Sequence, residues 1–333
     1  MVTCLGFVYS LSTVAFSVLF LRAAQGTLIK SAPASAGKGS TSTVASKPFS
    51  DDTMSFLLKA SLVSAAASVA ATRMGNDLDT PLRTIFLLLS TFATYVWGAR
   101  LPASFTKTVH PLITSTALTL GIFHLTGMVT GSTFIDVLKT YKVGSLDLMK
   151  TGAGDVLLFL LGPAVVSFAI AMYSRRVLLK ENFLIVVTAM LVSSVGGLFG
   201  TAAFVRAIQL GGSTGALVRL SVLSRNITTA LSMAIAAILG GDISIAASVV
   251  VLTGIIGATY GRTLLDAMGI YDPVTRGLAV GAAAQGLGVS SMAVEPDAFP
   301  FAAMSMVLTA VCATVLVSIP SIKDALVNLA IKG

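Results

Sequence analysis

LSVLSRNITTALSMAIAAILGGDISIAASVVVLTGIIGATYGRTLLDAMGIYDPVTRGLAVGAAAQGLGVSS, Leu220 to Ser291, is the stretch that decides the fold. It is apolar over most of its length. It nevertheless carries Arg225, Asn226, Thr228 and Thr229 together at the start of one apolar helix. A Gly-rich interruption surrounds Gln285 inside a later apolar segment. Polar side chains and broken helices are tolerated at membrane depth only where they are buried in protein or line a cavity. The stretch therefore points to a transport pathway rather than a simple anchor.

Composition agrees. The chain has 333 residues, of which 55% are hydrophobic and 11% charged, with a mean hydropathy of +0.91. Soluble domains carry about 25% charged residues, so this chain has too few to cover a water-exposed surface. At roughly 20 residues per span there is room for about nine or ten membrane helices with short loops. The net charge of +8 does not signal nucleic acid. Arg73, Arg100, Lys107, Lys139, Lys142, Arg175, Arg176 and Lys180 sit between apolar runs, which fits topology signals and contact with anionic lipid. The partner implied is the lipid bilayer. Cys4 and Cys312 lie in apolar segments, form neither a disulfide framework nor a metal spacing, and read as buried free thiols.

Residues 1–25 form one apolar segment, Cys4 to Leu21, ending at Arg22. It reads equally as a membrane helix or as a signal sequence with a poor cleavage region. Residues 26–53 are rich in Ser, Thr, Ala, Gly and Lys and have no acid before Asp51. They read as a flexible linker or an organelle transit segment. From residue 54 to 333 the apolar runs follow quickly, with candidate spans at 54–72, 82–98, 109–130, 153–173, 183–205, 216–240, 243–265, 274–293 and 299–319. Segment 132–150 is amphipathic and too charged to span, so it predicts an interfacial helix or loop. Tyr95, Trp97 and Tyr173 close spans, as in an interfacial aromatic belt. The class is all-α, a polytopic integral membrane protein.

An internal repeat runs through it. TSTALTLGI (114–122) returns as ITTALSMAI (227–235), 113 residues further on. Each copy is followed by a Gly-interrupted segment, GAGDVLLFLLGP (152–163) and GLAVGAAAQGLG (277–288). The pattern predicts inverted repeats with two interrupted helices, the arrangement that surrounds a carrier's central site.

Four groups of residues could carry chemistry. Arg225 offers a permanent cation whose fork matches a carboxylate. Asn226, Thr228 and Thr229 add hydrogen bonding at a helix N-terminus, where free N–H groups favour anions. Gln285 and Ser290 supply donors and acceptors for a hydroxyl. Gly152, Gly154, Gly286 and Gly288 would permit unwound backbone. Asp155, in the first interrupted segment, is a helix cap or a proton- or cation-coupling site. His110 and His124 read as an interfacial and a packed histidine. Arg262, Asp266, Asp272 and Arg276 read as a solvated loop, with Arg276 able to reach inward. No nucleophile–base pair, metal cluster or phosphate loop stands out, so neither an enzyme nor a cofactor is implied.

HPLITSTALT (110–119), GAGDVLLFLLGPAVVSFAIAMYSRR (152–176), VSSVGGLFGTA (192–202), LSVLSRNITTALSMAI (220–235), VVVLTGIIGA (249–258) and DPVTRGLAVGAAAQGLGVSSMAVEPDAFPFAAM (272–304) resemble the LrgB/CidB membrane family, from about residue 54 to the C-terminus. They are most similar to its plant and algal branch. That branch resembles a fusion of an LrgA-like with an LrgB-like domain, so residues 1–25 look like the last helix of an LrgA-like part, the signal sequence being the rival. The family motif has His where this chain has Gln285 and Pro where it has Arg225. Gln keeps hydrogen bonding and loses titration, which puts proton coupling through that position in doubt. The resemblance implies glycolate and glycerate exchange across the plastid inner envelope in photorespiration, and an LrgA-like membrane partner or a homo-oligomer. Another monocarboxylate such as pyruvate is a rival substrate. The bacterial relatives imply a different class, a holin-associated regulatory or pore-forming protein that controls murein hydrolases.

Overall fold

The computed structural model describes residues 1–26, 49–75, 78–106, 109–145, 147, 149–174, 176–212 and 215–331. The protein is 83% helical, with no strand among the described residues. In chain order the helices begin with α1 (Val2–Ala24), α2 (Asp51–Met74), α3 (Asp79–Ala99), α4 (Ala103–Thr106) and α5 (Pro111–Thr130). They continue with α6 (Phe134–Tyr141), α7 (Ala153–Ser174), α8 (Arg176–Glu181), α9 (Phe183–Ala207) and α10 (Ala216–Ser221). Then come α11 (Thr229–Leu239), α12 (Ile243–Ala267), α13 (Pro273–Ser291), α14 (Phe299–Ser318) and α15 (Pro320–Ile331). Among the described residues eight helices are long and apolar enough to cross a membrane: α1, α2, α3, α5, α9, α12, α13 with its 3-10 extension, and α14. The chain is an all-helical polytopic membrane protein.

The helix ends follow local chemistry. Ser50 caps α2 by accepting from the Thr53 N–H at 3.1 Å, and Gly75 ends it in the left-handed region at φ 62°. His110 caps α5, its Nδ1 accepting from the Leu112 N–H, with Pro111 in the first turn. Partial burial lowers the His110 pKa from its ordinary value, which suits a neutral ring used as an acceptor. Thr133 and Asp136 form a reciprocal capping box on α6. That helix is short and amphipathic, as expected of 132–150.

The chain folds as two compact units, Ser40–Ser167 and Met1–Gly39 with Phe168–Gly333. In the Ser40–Ser167 unit α2 packs on α3, and α3 on α5. Leu87, Phe123, Val137 and Ala153 form its buried apolar cluster, with the Phe123 and Tyr141 rings 4.9 Å apart. The Thr94 hydroxyl sits between two hydroxyls of α5, Ser115 at 3.2 Å and Thr119 at 2.9 Å. Asp155 stands in the first turn of α7. Its carboxylate accepts the backbone N–H of Val143, Gly144 and Gly152 at 2.9, 2.9 and 3.0 Å. Gly152 immediately precedes α7, and a Cβ there would meet the Tyr141 carbonyl oxygen at 2.3 Å. Gly152 and Gly154 therefore serve a close approach of backbones at the start of α7.

In the larger unit α13 is central, packing on α1, α9, α12 and α14. Side chains from α1 (Phe7, Leu11, Val14, Ala15, Val18) are within 1% of complete burial, so α1 is part of this core. A Cβ on Gly257 of α12 would lie 2.0 Å from the Ala284 Cβ of α13, so these helices meet at backbone distance, the packing that dispersion favours in lipid. A second buried cluster joins Leu198 of α9, Leu223, Ile227, Ile235 of α11 and Leu326 and Ala330 of α15.

Four expectations need correction. The first Gly-interrupted segment, 152–163, is not a break, because the chain from Ala153 runs on as the continuous helix α7 with Pro163 inside it. The span expected at 216–240 is two short helices, α10 and α11, separated by the turn 222–228. The Ser224 hydroxyl folds back to the Ser232 hydroxyl at 2.7 Å, while Arg225 and Asn226 reach partners on other helices, so the local helix gives way. Asp266, Asp272 and Arg276 are not a solvated loop. Asp272 is completely buried. It caps α13 through the Thr275 N–H and hydroxyl at 2.8 and 2.7 Å and pairs with Arg22 at 2.9 Å. Arg22 also donates to Asn182 at 2.8 Å. Arg276 holds Glu295 by two bonds, at 2.8 and 2.7 Å, and Asp266 at 2.6 Å. A buried carboxylate needs such a partner, and Arg22 lies 250 residues away in sequence. Cys4, finally, is exposed rather than buried, because α1 turns its other face to the core. Most of the expected linker, residues 27–48, lies outside the described residues.

Candidate functional site

Two helix breaks meet in the larger unit. The first is the turn 222–228. The second is inside α13, where Gln285 adopts φ 46°, ψ −143°. For a residue with a Cβ such backbone costs on the order of 1–3 kcal/mol. Local bonds offset the strain. The Gln285 side-chain oxygen accepts the Gly286 N–H at 3.0 Å, and its amide donates to the Val250 carbonyl of α12 at 3.3 Å. In an unbroken helix the Gly286 N–H would serve the Ala282 carbonyl. Here that carbonyl receives the Asn226 amide at 3.2 Å and the Ser193 hydroxyl of α9 at 3.4 Å. A side chain from one break thus satisfies a carbonyl released at the other.

Arg225 occupies the first break and is 1% exposed. Its Nη2 donates to the Ser10 hydroxyl of α1 at 2.9 Å. Its Nε and Nη1 have no hydrogen-bond partner, and no carboxylate pairs with it among the described residues. The guanidinium lies on the α1 backbone at Gly6, where a Cβ would come within 2.3 Å of Nε. Leu5, Gly6 and Tyr9 of α1, Gly200, Thr201, Ala203 and Phe204 of α9, and Arg225 line a cavity of about 430 Å³. The buried Thr201 hydroxyl and the Asn226 side-chain oxygen also lack partners. A permanent cation without a counter-charge, beside unpaired hydroxyl and amide groups, is a chemical match for a small anion with its own hydroxyl.

The expected residues divide. Arg225, Asn226 and Gln285 are brought together through Ala282. Thr228 occupies the N-cap position of α11 without a side-chain cap bond, and Thr229 opens the helix; both are half-buried. Ser290 does not join them, because it is exposed and its hydroxyl donates back to the Leu287 carbonyl at 2.8 Å. The unwound backbone lies at Gln285 itself, since neither Gly286 nor Gly288 has positive φ. Gly288 instead packs against the Ala284 Cβ, which a Cβ of its own would approach to 2.5 Å. Gly152, Gly154 and Asp155 belong to the Ser40–Ser167 unit, where Asp155 uses both oxygens on backbone N–H groups.

Sequence reasoning missed Ser10, Tyr9, Ser193 and Thr201. For α9 a signal was present. Ser193, Gly197 and Thr201 follow i, i+4, i+8 spacing within VSSVGGLFGTA, one helical face in an apolar run. A Cβ on Gly197 would lie 2.8 Å from the Asn226 amide nitrogen, so that face is where Asn226 rests. Gly6 and Ser10 repeat the i, i+4 spacing on α1.

Helices of membrane length, two breaks and a buried polar centre between them define a multi-pass membrane protein with an internal polar site. The chain belongs to the LrgB-like family, whose sequence profile matches residues 91–321. It is 37% identical over 257 residues to plastidal glycolate/glycerate translocator 1, chloroplastic, of Arabidopsis thaliana. That match covers 75% of this chain and 49% of the relative, so the chain spans about half the relative's length. No solved structure matches. Helix α1 lies outside the residues that match the family profile.

Proposed function

We propose that this protein is a membrane carrier for small 2-hydroxy carboxylates, exchanging glycolate and glycerate across the plastid inner envelope, and is not an enzyme. The observation that carries this reading is Arg225, buried at a helix break with two nitrogens unpaired and no counter-charge among the described residues. Evolved proteins rarely leave a buried cation unpaired, because it costs several kcal/mol. A substrate carboxylate on the guanidinium fork would supply the missing partner. The substrate's hydroxyl would meet the Thr201 hydroxyl and the Asn226 oxygen, which are also without partners. The N-terminus of α11, at Thr228 and Thr229, follows Arg225 by three residues and would add its partial positive charge to the site. The name of the Arabidopsis relative supports glycolate and glycerate as the substrates and the plastid as the place. The two breaks provide the bending points that alternating access requires. Gln285 does not titrate, so the exchange runs as anion for anion without a proton at that position.

The test is uptake of labelled glycolate into proteoliposomes preloaded with glycerate. Saturable uptake, stimulated by internal glycerate and lost in Arg225→Ala, is the expected result. Flux that does not saturate would identify a pore. No flux from monodisperse protein would remove the carrier reading for this chain alone.

A further inference from the structure

We propose that α1 is a wall of the anion site, with Ser10 positioning the Arg225 guanidinium and Tyr9 facing the substrate; this rests on the carrier reading above. Ser10 supplies the hydrogen bond that holds Arg225, at 2.9 Å. One helical turn earlier, Gly6 lets the guanidinium lie on the α1 backbone, since any Cβ would sit 2.3 Å from Nε. Leu5, Gly6 and Tyr9 then form one side of the cavity whose other side is α9. The ring of Tyr9 packs beside Gly200, where a Cβ would meet its hydroxyl at 2.8 Å. Its phenol therefore stands at the same cavity as Thr201 and Arg225.

Helix α1 is fastened for this task. Its far end carries Arg22, which pairs with the buried Asp272 at 2.9 Å and donates to Asn182 at 2.8 Å. The register of α1 against α13 is thereby fixed, and with it the height of Ser10 and Tyr9. The residues that match the LrgB-like profile contain the cation but not the group that orients it. Recognition of a carboxylate by a fork depends on orientation within roughly 10–20°. A guanidinium released from Ser10 would keep its charge and lose that geometry. The phenol adds a second hydroxyl beside Thr201, which favours substrates with a hydroxyl over plain carboxylates of the same size.

The experiment measures glycolate–glycerate exchange in proteoliposomes for wild type, Ser10→Ala, Ser10→Thr and Tyr9→Phe, with melting temperature and monodispersity recorded for each. Ser10→Ala is expected to raise the KM for glycolate roughly ten-fold, the scale of one lost bond to a charged group, at unchanged maximal rate per folded protein. Ser10→Thr, which restores a hydroxyl, should return KM to within about two-fold of wild type. Tyr9→Phe, at a partly exposed position, should reduce the preference for glycolate over acetate as competing anions by about five-fold. A loss of maximal rate at constant KM in Ser10→Ala would give Ser10 a purely structural role and overturn the proposal. So would wild-type KM and wild-type selectivity in Ser10→Ala and Tyr9→Phe. If Ser10→Ala fails to fold, Tyr9→Phe decides alone, and unchanged selectivity there overturns the proposal. Wild-type protein that exchanges nothing overturns the carrier reading itself, and this inference with it.

Discussion

Replacing Arg225 by Met should leave the protein at least as stable and make it inactive. The side chain is 1% exposed, makes one hydrogen bond, to Ser10, and leaves Nε and Nη1 unpaired. Exchanging buried charged groups for apolar residues of similar volume is often neutral or stabilising, by about 1–4 kcal/mol. Met follows the same path past Gly6 without the charge, so the melting temperature in detergent should hold or rise. Transport should respond in the opposite sense. Two charge-assisted bonds to a carboxylate are each worth about 1.5–3 kcal/mol. Their loss predicts an efficiency of exchange lower by about two to four powers of ten. The assay pairs thermal unfolding of the purified variant with glycolate counterflow at equal amounts of folded protein. Arg22→Met is the control. It strips the pair from the buried Asp272 and should destabilise by about 3–5 kcal/mol, as breaking one half of a buried pair does. A variant Arg225→Met that unfolds as easily as the control, or that exchanges glycolate with wild-type KM, would refute the reasoning.

Four further outcomes follow from the geometry. Asp272→Ala, which strands Arg22 and uncaps α13, should lower stability by about 3–5 kcal/mol in thermal unfolding and, by loosening the register of α1, raise the KM of the folded fraction. Gly257→Ala would place a methyl 2.0 Å from the Ala284 Cβ. It should cost about 1–3 kcal/mol by overpacking, read as a lower melting temperature. Asp155→Ala removes the acceptor of three backbone N–H groups and should destabilise by about 3 kcal/mol while leaving the pH profile of exchange unchanged; a flattened profile would instead assign Asp155 to coupling. Asp136 has its pKa lowered, first by the Thr133 hydroxyl, then by the Thr133 backbone N–H, against a small opposing desolvation, with Lys139 adding attraction. Its stabilisation of α6 is therefore present above the ordinary carboxylate value of 3.8 and lost as pH falls through the lower folded value. In Thr133→Ala the titration of Asp136, followed by NMR, should move up.

Most of the helices were legible because an apolar run of membrane length leaves the backbone one economical solution. α12, α13 and α14 fall close to where the apolar runs put them. Length and hydropathy do not register a break whose flanks are both apolar, so 216–240 read as one helix. The polar triplet Ser224, Arg225 and Asn226 marked the place, but its partners, Ser10, Ser193 and the Ala282 carbonyl, are on three other helices. Arg225, Asn226 and Gln285 could be named from chemistry alone. Ser10 could not, since a single hydroxyl in an apolar helix usually bonds its own backbone, as Thr13 and Ser17 of α1 do; for Thr201 only the shared face with Ser193 and Gly197 gives a signal. The burial of Asp272 was hidden for the same reason, its partner Arg22 being remote in sequence. Ser290 is close to Gln285 in sequence, yet it is exposed and its hydroxyl is used on the Leu287 carbonyl of its own helix. α15 went unread because Pro320 and Lys323 interrupt the apolar pattern, although Leu326 and Ala330 are fully buried.

Helix α1 is made before its partners and completed after them. Its bond from Ser10 reaches a residue 215 positions on, and Arg22 waits for Asp272, later still. Between them the chain threads the whole Ser40–Ser167 unit, which is compact in its own right. During synthesis α1 must therefore reside in lipid with its eventual core face, Phe7, Leu11 and Val18, against acyl chains, while the inserted unit assembles. A lipid-facing hydrophobe loses little by such waiting, because tails and core are equally apolar. Arg22 at the end of the helix can snorkel to the interface meanwhile. The long-range closure makes the final docking of α1 slow by topology. A pause or truncation before residue 272 would leave α1 able to meet α9, Arg225 and α12 but without α13 and without the carboxylate that holds Arg22.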